Sequence, residues 1–210
     1  MKKYHKLVEN AVRPQGFWGR QMIKSMNKGH SALTDWALSY IEIQPKSIVL
    51  DVGCGGGNTI SKLCKNVANG KVYGIDYSEL CVEKSRKFNK KDVICDKARI
   101  LQASVSNLPF EDDKFDFVTA VETYYFWPDK LNDLKEILRV MKHGATLLLV
   151  FEMVRDDNDP FKWERVESAL GIQAVSHDEI NDMLLRSGYQ DIRIHKNADK
   201  GWMCVLAEKE

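Results

Sequence analysis

Three sets of residues in this chain combine types and spacings that can do chemistry. The first is Asp51-Val-Gly-Cys-Gly-Gly-Gly57, which follows Ser47-Ile-Val-Leu50 and precedes helical spacing from Asn58. A strand that stops in glycines and restarts as a helix points backbone N–H groups and a positive dipole end at a ligand. Gly53 and Gly55 permit positive φ and let that ligand approach bare backbone. Asp51 sets a carboxylate beside the opening, which suits a cationic ligand better than a pyrophosphate. The second is Asp76, closing Lys71-Val-Tyr-Gly-Ile-Asp76. A carboxylate at that strand tip accepts both hydroxyls of a ribose and repels a 2′-phosphate; the competing role is a helix N-cap before Tyr77-Ser78. The third set is proton acceptors: His30 in Asn27-Lys-Gly-His30, Glu122 where a strand should end, and Glu152 after a later strand.

The glycine spacing separates classes of nucleotide site. Gly53-x-Gly55-x-Gly57 differs from the dinucleotide pattern G-x-G-x-x-G, whose third glycine would fall at Asn58. No Gly-Lys-Ser or Gly-Lys-Thr follows, so the loop is not a P-loop.

Bulk composition narrows the partners. At 210 residues, a single domain with a sizeable core is expected. Lys plus Arg total 31 against 30 acidic residues, so no global field favours nucleic acid or an anionic membrane. The start lacks the apolar stretch of a signal peptide, and the apolar run 145–151 is too short to span a bilayer. Five cysteines without a CxxC pair suggest reduced thiols in the cytoplasm rather than a zinc site. No metal centre is expected. Asp156, Asp157 and Asp159 precede Pro160 and read as a solvated turn.

The elements that must position these residues follow from periodicity and breakers. Helices are predicted over 18–27 and 31–43, the second capped by Ser31 and stopped at Pro45. Strands are predicted over 46–52, 71–76, 98–103, 114–122 and 146–153. Helices are predicted between them over 58–68, 77–91 and 129–141. A short helix over 162–170 and a capping-box helix from Ser176 to Gly188 come next. The last two strands, 190–195 and 202–208, are separated by only residues 196–200, too few for a parallel crossover, so they form an antiparallel hairpin. The expected fold is α/β: a doubly wound, mostly parallel seven-stranded sheet with a C-terminal antiparallel hairpin. Residues 1–210 form one domain, in which 1–44 make a helical cap over the site and 45–210 the cofactor-binding core.

On these residues the chain resembles the class I S-adenosylmethionine-dependent methyltransferases of the small-molecule type. The resemblance rests on Asp51–Gly57, Tyr73-Gly-Ile-Asp76-Tyr77-Ser78, Leu108-Pro-Phe110 before Phe115-Asp-Phe117, and Val140-Met-Lys-His-Gly144, and spans about residues 46–151. It implies a Rossmann-like methyltransferase fold and S-adenosylmethionine as cofactor. Asp51, Gly53, Cys54 and Gly55 would receive the methionine part, Asp76 the ribose, and Tyr77 the adenine. Ser104 stands where the family often has an acidic residue against the adenine amino group, with Val105 beside it. His143-Gly144-Ala145 replaces the usual Pro-Gly-Gly turn.

Methyl transfer from a sulfonium is an in-line displacement, and the protein chiefly binds, orients and excludes water. A base is needed only for an acceptor that arrives protonated. His30 and Glu122 are the candidate catalytic residues, with Glu122 also a candidate for the cofactor's amino group. The acceptor wall is expected from Trp18 and Met26 on the first helix and from Tyr124, Tyr125 and Trp127 after the fourth strand. An extended backbone there would turn Tyr124 and Phe126 to one side and Tyr125 and Trp127 to the other. The expected partner is a small-molecule methyl acceptor, with no nucleic acid and no membrane, and the protein a monomer or homodimer. The alternatives are a NAD-dependent oxidoreductase and a non-catalytic cofactor-binding module.

Overall fold

The computed structural model describes Asn10, residues 14–156 and residues 158–210. Residues 1–9 and 11–13 of the expected cap, and Asp157, lie outside these. Seven strands form one sheet: β1 (Ile48–Val52), β2 (Lys71–Asp76), β3 (Ala98–Gln102), β4 (Phe115–Val121), β5 (Met141–Phe151), β6 (Tyr189–Asn197) and β7 (Trp202–Lys209). Their order is β3-β2-β1-β4-β5-β7-β6. The first five are parallel; β7 runs antiparallel to both β5 and β6. The doubly wound sheet with a terminal hairpin is therefore as the sequence predicts.

Alternate residues of the buried strands face two separate cores, which is why the strands read as continuous apolar runs. On one face Leu50, Ile75, Val118 and Leu149 pack with Leu134, Ile137, Ile180 and Leu184. Those four come from α6 (Lys130–Val140) and α8 (His177–Ser187). On the other, Val49, Val72, Phe117 and Leu148 pack with Leu33, Ile60, Leu63 and Val82. These belong to α2 (Ser31–Leu38), α3 (Asn58–Asn66) and α4 (Glu79–Phe88). The loops at the carboxyl ends of β1, β2 and β4 meet where the strand order reverses, the usual ligand crevice of such sheets.

Several boundaries differ from the periodicity. Ser31 is not an N-cap. His30 occupies the cap position between α1 (Gly16–Gly29) and α2, and makes no side-chain cap. The second helix stops at Leu38 rather than residue 43, unwinding through the bonds Tyr40 N to Ala37 O and Ile41 N to Leu38 O. Ile41 and Ile43 continue the apolar spacing because they pack on the core, not because they are helical. The predicted 77–91 helix is split into α4 and α5 (Lys90–Ile94) at Asn89, whose buried amide donates to Gly57 O (2.9 Å) and Ser85 O (3.0 Å). That side chain satisfies loop and helix-end carbonyls at once. β5 begins at Met141, which pairs with Phe115 before a register shift, so the predicted turn at His143-Gly144 is a kink within the strand, with Gly144 at φ +74°. The capping box at Ser176 and Glu179 of α8 is present. The short helix α7 (Glu164–Leu170) precedes it.

Candidate cofactor and acceptor site

The glycine loop is held on three sides and open on the fourth. Cys54 N donates to Ile75 O (2.8 Å), tying it to β2. Gly53, at φ +71°, lies so close to Thr123 that a Cβ would meet its Oγ1 at 2.2 Å. Over Gly56 lies α1: Asn27 Nδ2 donates to Gly56 O (3.0 Å). Gly55, at φ +51°, faces open space, with nothing within 4 Å of a Cβ built there. The loop's bare backbone is therefore presented to a cavity of about 450 Å³, inside the range of roughly 300–1,000 Å³ usual for small-molecule sites.

Asp76 lines this cavity while anchoring its floor. Its Oδ2 accepts from Gly55 N (2.9 Å) and its Oδ1 from Ser78 N (2.8 Å). Burial raises its pKa, and the two backbone N–H groups oppose that shift. Each oxygen keeps a further lone pair for a ligand hydroxyl. The helix N-cap role that the sequence left open for Asp76 falls instead to Ser78, whose Oγ accepts from Cys81 N (3.4 Å). Replacing Asp76 by Ala should weaken S-adenosylhomocysteine binding by roughly 1.5–3 kcal/mol, the worth of hydrogen bonds to a charged group. Calorimetric titration measures it, and unchanged affinity would remove Asp76 from the ribose site.

Tyr77, Ser104 and Val105 line one end of the cavity; Met26, His30, Glu122 and Trp127 line the other. Ten predicted site residues are thus brought together: these seven together with Gly53, Gly55 and Asp76. Five are not. Asp51 and Cys54 lie beneath the loop: strand alternation turns Asp51 to the side opposite Val52, and the Cys54 thiol faces the Ser85 hydroxyl (3.9 Å). Tyr124 and Tyr125 are buried in the core because the segment is not extended. It forms a 3₁₀ turn over Tyr124–Phe126, which rotates Phe126, with Trp127, into the cavity wall. Trp18 stands 40% exposed with its ring edge-on to Phe17, outside the cavity lining. Pro14 and Thr123 are lining residues that spacing did not single out, and Phe126, set beside Tyr124 in the extended reading, lines the cavity without it.

Asp51 Oδ1 accepts from Thr119 Oγ1 (2.8 Å), while the buried Oδ2 has no partner among the described residues. Burial pushes this carboxyl up to about 7, despite the Thr119 bond, and the Asp76 charge adds to the rise. Glu122 sits just past β4 at φ +56°, a conformation rare for a non-glycine residue and enriched at functional sites. Its Oε1 accepts from Tyr125 Oη (3.1 Å) and from Glu152 N. Burial is the largest cause that raises this carboxyl to about 8, the Glu152 charge reinforces it, and those two donors oppose it. His30 is lowered by burial, partly offset by Glu152, whose Oε2 is 4.0 Å from His30 Nε2. Ligand atoms of His30, Glu122 and Glu152 all lie within 4.8 Å of one another.

Both raised carboxyls bind protons in the folded state at pH values where the unfolded chain has released them. Folding stability from Asp51 and Glu122 is therefore present at low pH and lost as pH rises toward about 7 and about 8. The thermal midpoint of the ligand-free protein should fall across that window. A Glu122→Gln protein should show a shallower fall, and an identical slope would mean Glu122 is ionised throughout.

S-Adenosylmethionine suits this donor set. No Lys or Arg is among the described residues lining the cavity, so nothing there neutralises a pyrophosphate. The bare backbone at Gly55, open to the cavity, has room for an amino-acid-bearing ligand instead. Residues 50–149 match the model of a family described as a methyltransferase domain. With the seven-stranded architecture, this match makes the chain similar to the class I S-adenosylmethionine-dependent methyltransferases.

Among curated proteins it is similar to phthiotriol/phenolphthiotriol dimycocerosates methyltransferase 1 of Mycobacterium ulcerans, 26% identical over 160 residues, covering 76% of this chain and 56% of that protein. It is similar to the uncharacterized methyltransferase YdaC of Bacillus subtilis, 26% identical and covering 85% and 91%. The chain spans about half the length of the first relatives it matches, 56% and 47%. Among solved structures, a chain of the complex of the Haloferax volcanii Trm112 methyltransferase activator shares the fold at TM-score 0.79 and 20% identity, covering 90% and 93%. A methyltransferase of Aquifex aeolicus does so at 0.72 and 24%, covering 89% and 96%. No helix among the described residues is long and apolar enough to cross a membrane.

Proposed function

We propose that this protein transfers a methyl group from S-adenosylmethionine to a small molecule with an apolar body. The observation that carries the reading is the continuous cavity from Gly55 and Asp76 to Glu122 and His30. The cofactor supplies an activated methyl on a positively charged sulfur. Gly53 and Gly55 offer backbone to its methionine part, Asp76 accepts from the ribose, and Tyr77, Ser104 and Val105 flank the adenine. Met26, Phe126 and Trp127 hold the acceptor's apolar part, and the N-terminal helices act as a cap that keeps water from the reacting atoms. Glu122 takes the acceptor's proton, with His30 beside it to pass the proton outward. His30, with its pKa lowered, is neutral near pH 7 and free to accept.

Titration calorimetry with S-adenosylhomocysteine and NAD tests the cofactor: binding of S-adenosylhomocysteine alone is expected, and binding of NAD alone would replace this reading with an oxidoreductase. The groups facing Glu122 are His30, Tyr125 and Glu152. With Glu122 as the working carboxylate, kcat/KM should climb with pH through about 8, because this parameter reports the free enzyme. A pH profile flat across that range would exclude it.

A further inference from the structure

The acceptor end of the cavity is acidic and aromatic. Glu122 and Glu152 bring two carboxyl groups and His30 an imidazole to one spot, their ligand atoms within 4.8 Å of one another. Both hydrogen bonds to Glu122 fall on Oε1, one from Tyr125 and one from Glu152 N, which leaves Oε2 for a ligand. Glu122 is buried with the half-exposed Glu152 carboxyl beside it, so a positive charge entering there favours the ionised form of Glu122. No Lys or Arg is among the described residues lining the cavity. The walls beside Glu122 are Phe126, Trp127, Met26 and Pro128. Aromatic faces attract organic cations, whereas magnesium keeps several waters and seeks more oxygen ligands than this wall offers.

We propose that the methyl acceptor is an organic amine that enters as an ammonium ion and is seated between Glu122, Glu152 and His30 against Phe126 and Trp127. The inference rests on the methyltransferase reading and names its substrate class. One ammonium N–H proton passes to the Glu122 carboxylate, with the Glu152 side chain beside it. The freed nitrogen lone pair forms the new N–C bond as the C–S bond breaks, its electron pair leaving with sulfur. The product is the N-methylated ammonium together with S-adenosylhomocysteine. Glu122 then gives its proton to water by way of His30. A phenol or alcohol brings no positive charge to offset the carboxylates, which is why the pocket selects against it.

The test uses the full chain saturated with S-adenosylhomocysteine and two probes of equal shape, phenethylamine and its neutral counterpart propylbenzene, with catechol plus magnesium as a third. Phenethylamine should bind at least about tenfold tighter than the neutral probe, the scale of hydrogen bonds to a charged group. Glu152→Gln should erase most of that difference and leave S-adenosylhomocysteine affinity within about twofold. Equal binding of the amine and neutral probes, no binding of either, a preference unchanged by Glu152→Gln, or magnesium-dependent binding of catechol alone would each overturn the proposal. Loss of S-adenosylhomocysteine binding by the unaltered protein would instead overturn the methyltransferase reading.

Discussion

A Gly55→Val protein should fold and lose S-adenosylhomocysteine binding by roughly 100-fold or more, about 2.7 kcal/mol on the affinity scale. The argument is geometric. A Cβ at Gly55 meets no protein atom within 4 Å, so the added carbons displace ligand rather than protein. The cost to the fold is the positive φ of +51°, which for a branched side chain is on the order of 1–3 kcal/mol. That is small against the roughly 5–15 kcal/mol of a typical domain. Gly55→Ala provides a graded control: the same φ penalty in kind, a smaller intrusion, and an intermediate affinity. Circular dichroism with calorimetry separates the two effects. Normal affinity in a folded Gly55→Val protein would show that the cofactor does not cross this loop. Gly53 is not an equivalent probe, because a Cβ there strikes Thr123 and disturbs the wall itself.

The second large effect belongs to Glu122. Glu122→Gln keeps the side-chain shape and its capacity to accept from Tyr125, but cannot take a proton. Turnover should fall by about 10²–10⁴, the usual contribution of a positioned acid–base group. Cofactor affinity should change little, so the loss appears in kcat with the pH dependence near 8 removed. The measurement is S-adenosylhomocysteine release with any acceptor the protein turns over. Retained kcat would move the proton-accepting role to His30, or show that the acceptor arrives already deprotonated. A large loss of cofactor affinity instead would mean that Glu122 holds the cofactor's amino group, the other role its sequence position suggested.

These two residues differ in how far the sequence alone reached them. Gly55 was legible because a glycine-rich strand-to-helix turn has few physical uses, and its role depends on neighbours close in the chain. Asp76 was legible because parallel strand order sets the tip of β2 beside the end of β1. The hairpin was legible from connection length. Glu122 was only one of three acid–base candidates until the fold brought β4, β5 and the junction of α1 and α2 to one point.

The errors have one origin. Periodicity reports which face a residue takes within its own element, and the acceptor wall is made by segments without a regular element. Tyr124 and Tyr125 read as pocket residues because an extended chain alternates, but the 3₁₀ turn before Pro128 sends them into the core and brings Phe126 out. Trp18 shares a helix with Met26, yet only Met26 reaches the cavity, since α1 crosses the loop at Ile23 and Asn27.

The sequence by itself determined the parallel sheet, its terminal hairpin and the class of ligand seat, because strand period, turn chemistry and connection length are local constraints. Tertiary structure alone decided which charges share a space. It put Asp51 out of sight beneath the loop with one oxygen unpaired, and it set Glu122 and Glu152 face to face beside His30. Burial and proximity fix a charge's behaviour, and neither is written in the order of residues along the chain.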